Sequence, residues 1–133
     1  MTGVSLFMVS LVVPEMDEAI AHYTGDWGFN LANDSHHVSG HRWVEVAPAS
    51  GARLRLVEAK NDEQRAVIGR QAGGRVAFFI NVPDFDTTLA QWADKGIVII
   101  EPPRQENYGR VAVLQDRYGN RWDAFDASDK LAS

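Results

Sequence analysis

A chain of 133 residues, 45% hydrophobic and 23% charged, can bury a core as one domain or as two small halves sharing it, with no metal or disulfide staple. The formal net charge of −5, with no run of Lys or Arg, argues against nucleic acid as a partner. With no cysteine, disulfides, thiolate catalysis and Cys-based zinc sites are excluded. No stretch approaches a membrane span, and the apolar opening from Met1 to Val13 has neither a basic leader nor a small-residue cleavage site. The expectation is a soluble cytoplasmic protein.

Taken in order, Ser5 to Val13 reads as a strand and Pro14 closes it. Helical spacing follows, with Met16, Ala19, Ile20 and Tyr23 on one face and acidic Glu15, Asp17 and Glu18 at the start, where the dipole favours negative charge. Gly25 and Gly28 end that helix, and His22, between its core positions, reads as a surface or boundary residue. Phe29 to Asn33 is a strand and Asp34 to Gly40 a loop or strand edge. Arg42 to Ala47 and Arg53 to Glu58 are strands joined by a turn at Pro48 to Gly51. Residues 59–74 are polar, end in Gly-Gly and serve as a linker. A second strand–helix pair then runs from Arg75, with Phe85, Leu89 and Trp92 on the helix face and Gly96 closing it. Ile97 to Glu101, Arg110 to Gln115 and Arg121 to Asp126 supply three further strands. The last two flank a turn carrying Asp116, Gly119 and Asn120, residues suited to a tight reversal. Residues 127–133 form a tail.

The order repeats. At an offset of 69, Val13-Pro14-Glu15-Met16-Asp17 faces Val82-Pro83-Asp84-Phe85-Asp86, and at 68 Gly51, Arg53 and Arg55 face Gly119, Arg121 and Asp123. Such self-similarity marks a duplicated unit. The expected fold is α+β, two βαβββ modules at 5–58 and 75–126 that form a curved mixed sheet around a cleft.

Strand parity separates two faces. Val9, Leu11, Val13, Leu54, Leu56, Val76, Phe78 and Ile80 are the expected core, with Trp27, Trp92 and Trp122 packed in it. The opposite parity collects Met8, Ser10, Val12, Arg53, Arg55, Val57, Ala77, Phe79, Asn81, Arg121, Asp123 and Phe125, a mixture suited to a binding cleft. Trp43 and Tyr108 add stacking surfaces. Glu45 lies on the third strand, where parity alone leaves its face open.

The two modules, the segment VVPEMDEAIAHYTGDWGF and the hairpin LQDRYGNRWDAFD resemble the vicinal oxygen chelate superfamily, which includes glyoxalase I, bleomycin and fosfomycin resistance proteins and extradiol dioxygenases. The resemblance covers about Ser5 to Asp126 and implies the fold far more sharply than an activity. It also implies a divalent metal held by His or Glu on the first and last strands of each module. The matching positions here are Met8, Arg55, Ala77 and Asp123, of which only Asp123 is a metal ligand, so no metal and no other cofactor is expected. Arg55 and Asp123 are expected to pair instead. His36, His37 and His41 could in principle grip a metal, but no helical spacing fixes them and they read as a solvated cluster.

The expected ligand-binding residues are therefore Met8, Ser10, Trp43, Arg53, Arg55, Phe79, Tyr108, Arg121, Asp123 and Phe125. The reading is a metal-independent small-molecule binding protein of the bleomycin resistance type, sequestering a planar or amphipathic ligand in a cleft between modules. Three arginines against one aspartate favour an anionic or neutral aromatic ligand over a cationic one. The alternative is a lyase or dioxygenase of the glyoxalase or extradiol type with a rearranged metal or acid–base site, built from Asp123 with Glu45 or the histidines. An accessory module without a ligand is a third. The partners expected are a small molecule and a second copy of the chain in a homodimer, with no nucleic acid and no membrane.

Overall fold

Alternating apolar residues on short strands, each set followed by an amphipathic helix, produce the same architecture twice in the computed structural model, which describes residues 3–127. The chain divides between Val67 and Ile68 into two compact units. In the first, β1 (Met8–Val13), α1 (Met16–Ala21), β2 (Asn30–His36), β3 (Arg42–Ala47) and β4 (Arg53–Glu58) form a four-stranded sheet of order β1-β4-β3-β2, followed by a short α2 (Asp62–Ala66). In the second, β5 (Val76–Val82), α3 (Phe85–Asp94), β6 (Val98–Glu106), β7 (Gly109–Gln115) and β8 (Arg121–Asp126) form a sheet of order β5-β8-β7-β6. First and last strands run parallel and side by side in each, and the other pairs are antiparallel. The fold is α+β with two βαβββ modules. Of the expected tail, all beyond Ala127 lies outside the described residues.

Parity assigns the core as expected in Leu11, Val13, Leu54 and Leu56, whereas Val9, Val76, Phe78 and Ile80 are only half-buried and Ile80 borders the recess described below. Leu11, Val13, Leu54 and Leu56 join Val44 and Val46 beneath Met16, Ala19, Tyr23 and Trp27, all buried. In the second unit Phe85, Leu89 and Trp92 cover Ala112, Leu114, Trp122 and Ala124. Phe78 packs on Trp122 with ring centroids 4.4 Å apart. The duplication extends to a charge contact absent from the repeat as first read. Arg42 on β3 meets Asp17 on α1 at 2.8 Å, and Arg110 on β7 meets Asp86 on α3 at 2.7 Å.

Four local features add to or differ from expectation. First, the helix runs past Gly25 in a π-helical turn, His22–Asp26, and ends, as expected, at Gly28, whose φ of +83° lets the Phe29 amide close on the Tyr23 carbonyl. Widening the turn brings His22 inward, where it is 3% exposed rather than a surface residue. Its Nε2 accepts from Trp27 Nε1 at 3.2 Å, which leaves Nδ1 to donate to Asp26 at 2.8 Å. Second, of the two readings open for Asp34 to Gly40, β2 takes the strand edge as far as His36, and third, β6 continues beyond its expected end at Glu101 through Pro102 and Pro103 to Glu106. Both are edge strands, where missing ladder donors and polar side chains are tolerated. Fourth, residues 59–74 contain α2, capped by the Asn61 side chain on the Gln64 amide. They also contain Gly69, whose φ of +74° sets it against the Tyr118 carbonyl.

The hairpin joining β7 and β8 closes as expected around Asp116, Gly119 and Asn120. Asp116 is 3% exposed, yet its carboxylate accepts from the Tyr118 and Asn120 amides, the Asn120 side chain and Trp122 Nε1, at 3.0 Å or slightly more. A buried carboxylate is tolerable only when its lone pairs are met in this way.

Candidate functional site

The face of each sheet turned away from its helix carries the expected binding residues, and the two faces differ in chemistry. On the first, register places Met8 beside Arg53 and Ser10 beside Arg55, with Glu45 opposite Arg55 on β3. Strand pleat puts Trp43 on the same side as Glu45. Glu45 thus shares the open face of the sheet with Trp43, as their i, i+2 relation implies, although it stood outside the expected ligand-binding set.

The partners cross rather than pair straight across. Arg53, not the directly opposed Arg55, donates to Glu45 Oε1 at 2.9 Å, while Trp43 Nε1 donates to Oε2 at 2.7 Å. These two bonds, the tryptophan's first, hold the Glu45 carboxyl below the usual glutamate value. Arg55 instead lies over the Trp43 ring, 4.0 Å from its centroid, and donates to His41 Nε2 at 3.3 Å. His41 is exposed, as expected, and this bond ties it to Arg55. His36 and His37 do not complete a site: among the described residues no three His, Cys, Asp or Glu side chains are placed to hold a metal ion.

On the second unit the equivalent face is aromatic. Phe79 sits beside Asp123, and Asn81 beside Phe125, on the parallel pair β5 and β8. A slip in register between Val76 and Phe78 precedes them. The rings of Phe79 and Phe125 are stacked with centroids 6.5 Å apart, and Tyr108, from the two-residue turn between β6 and β7, meets Phe125 at 6.0 Å. Together with Asn81 these rings line a recess of about 290 Å³. Phe79 is 65% exposed and Tyr108 57%, far more than large apolar rings in a core.

Asp123 lies next to this recess on β8. Partial burial raises its carboxyl above the ordinary aspartate value, opposed by the charge of Arg104 and reinforced by that of Glu101. Its carboxylate accepts no hydrogen bond among the described residues. Arg121, on the same face, is exposed.

The expected pairing of Arg55 with Asp123 would join the two units, and within its own unit each group has other company. Arg55 has Trp43 and His41, and Asp123 has Arg104 as a neighbouring charge. The metal-ligand positions implied by the resemblance do not fit a cation. Met8 and Ala77 offer no hard donor, Arg55 repels a cation, and one carboxylate remains where three donors are needed.

These features define a class, and sequence comparison agrees with it. The sequence model of the Glyoxalase/Bleomycin resistance protein/Dioxygenase superfamily matches residues 5–124, and the chain belongs to that superfamily. An uncharacterized protein of Shewanella frigidimarina (strain NCIMB 400) is 40% identical over 129 residues, 95% of this chain and 96% of that one. Among solved structures, UcmS2 is similar with a TM-score of 0.79 and 23% identity, covering 94% of this chain and 99% of its own. TnmS3, an antibiotic binding protein from Streptomyces sp. CB03234, has a TM-score of 0.73 and 24% identity, covering 95% and 98%. A glyoxalase/bleomycin resistance protein from the same Streptomyces strain has a TM-score of 0.69 and 25% identity, covering 92% and 100%.

Proposed function

We propose that this protein binds and sequesters a flat, largely neutral aromatic molecule without a metal. The recess of Phe79, Tyr108 and Phe125 carries the reading. Two exposed rings around a concave, partly polar surface gain apolar contact only when a ligand covers them. Asp123 adds an acceptor for a hydroxyl or N–H on the ligand's rim. The antibiotic-binding activity of TnmS3 supports small-molecule capture on this fold. Glu45, already bonded through both oxygens and held ionised, is a weak proton acceptor and gives no support to an acid–base centre.

The same reading takes the protein to act in the cytoplasm as a homodimer. Among the described residues no helix is long and apolar enough to cross a membrane, and closed two-fold assemblies are the commonest for soluble chains. Light scattering at micromolar concentration tests the dimer, and a monomer mass contradicts it.

Isothermal titration with phenylnaphthylamine, a neutral flat probe, tests the binding. Saturable binding by the wild type that weakens about tenfold in Phe79→Ala and in Tyr108→Ala supports the proposal. Binding unaffected by both substitutions contradicts it.

A further inference from the structure

A second cavity, of about 480 Å³, opens in the first unit and shares only Arg55 with the expected binding set. The β2–β3 turn from Ser39 to Arg42, the end of β4 and the start of α2 border it, and the half-buried Val57 contributes apolar wall in front of the core residues Met16 and Leu56. Its charged lining is three cations, Arg42, Arg55 and Lys60, to one carboxylate, Glu58, in a chain whose net charge is −5.

The partners of these groups decide which of them are free for a ligand. Arg42 is satisfied: Asp34 takes it in a fork at 2.9 Å on both oxygens, and Asp17 accepts a third bond at 2.8 Å. Glu58 is engaged as well, its Oε2 accepting from the Met16 amide at 2.9 Å. Arg55 and Lys60 differ, because neither meets a carboxylate among the described residues. Among the described residues Arg55 is held by the Trp43 ring and by His41. The lysine backbone amide donates to Gln64 Oε1 at 2.8 Å, which fixes the root of its side chain at the cavity wall.

We propose that this cavity is a second ligand site, one that takes an amphipathic organic anion. Arg55 and Lys60 receive its carboxylate, sulfonate or phosphate group, and the half-buried Val57 with the aliphatic stems of Arg55 and Lys60 receives its apolar body. The stacking of Arg55 on Trp43 leaves the edge of the guanidinium, where its N–H groups lie, available to an oxyanion, and the single long bond to His41 is one that such a group can replace. The volume is too large for an inorganic anion alone and suits a small ring system bearing one charge. This site does not depend on the aromatic recess of the second unit.

The test is isothermal titration with anilinonaphthalene sulfonate, run beside its neutral relative phenylnaphthylamine on the wild type and on Arg55→Gln, Lys60→Gln and Phe79→Ala. Lys60 is exposed, so its replacement leaves the fold intact and serves where Arg55→Gln destabilises it. The expected result is a loss of about tenfold in sulfonate affinity in each charge variant, with Phe79→Ala unchanged for that probe. Sulfonate binding that is absent from the wild type, unchanged in both charge variants, or lost only in Phe79→Ala overturns the proposal. The neutral probe responds to Phe79→Ala alone, so failure of the recess and failure of this cavity are read separately.

Discussion

Trp43 serves one cationic and one anionic neighbour at once: its ring carries Arg55 at 4.0 Å, and its Nε1–H binds Glu45 at 2.7 Å. One half-buried side chain thus positions two charges. The arrangement explains why Glu45 and Arg55, opposed in register, do not pair with each other.

The Glu45 contact makes stability depend on acid pH. Its carboxyl lies below the ordinary value of 4.5 because Trp43, and then Arg53, bond to the charged form. The unfolded chain therefore takes up this proton first, so the contribution is complete above 4.5 and is lost as pH falls through the folded-state value. Urea unfolding between about pH 5 and pH 3 should show a steeper loss in the wild type than in Glu45→Gln. Equal slopes would contradict the assignment.

Asp123 has the opposite sign. Burial raises its value above the ordinary 3.8, so the folded state keeps this proton to higher pH than the unfolded chain. The ionised carboxylate at neutral pH is then a cost to folding, incurred as pH rises through the folded value. Asp123→Asn should melt at a higher temperature than the wild type at neutral pH, with the difference gone in strong acid. A lower melting temperature at neutral pH would show instead that the charge has a stabilising partner.

Asp116 tests the hairpin. Its replacement by alanine leaves two amides, an Asn120 side chain and the Trp122 indole N–H without an acceptor in a buried place. The expected loss is about 3–5 kcal/mol, the range for removing a charged partner from a buried set. Denaturant unfolding followed by tryptophan fluorescence measures it. A loss under about 1 kcal/mol would mean that water replaces the carboxylate.

Gly69→Ala probes the seat of the linker on the hairpin turn. A Cβ there would lie 2.2 Å from the Tyr118 carbonyl oxygen, at a φ of +74° that already costs an L side chain about 1–2 kcal/mol. Destabilisation by more than the backbone term is expected from chemical denaturation. A neutral result would show that residues near Gly69 shift freely off Tyr118.

Much of this was readable from residue order. The duplicated VPxxD segments, the alternating parity of MVSLVV and RWDAFD, and the polar-apolar contrast of their two faces put Arg55, Phe79 and Phe125 on the open side. What the sequence could not convey arises where a local geometry breaks the period. A π-helical turn moved His22 to the interior, and the register slip before Phe78 is a tertiary choice with no marker in VAFFINV. Lys60 and Gln64 were hidden for another reason. Polar residues after β4 look like any linker until α2 folds and brings them to the wall that Arg55 already lines.

The prolines of β6 have an effect beyond their tolerance at an edge. A foreign strand approaching that side would find no amide hydrogen at whichever of Pro102 and Pro103 turns outward, and would also meet the register irregularity between Glu101 and Arg104. The outer margin of the second sheet is thus closed to templated growth at the point where Glu101 and Arg104 also present charge.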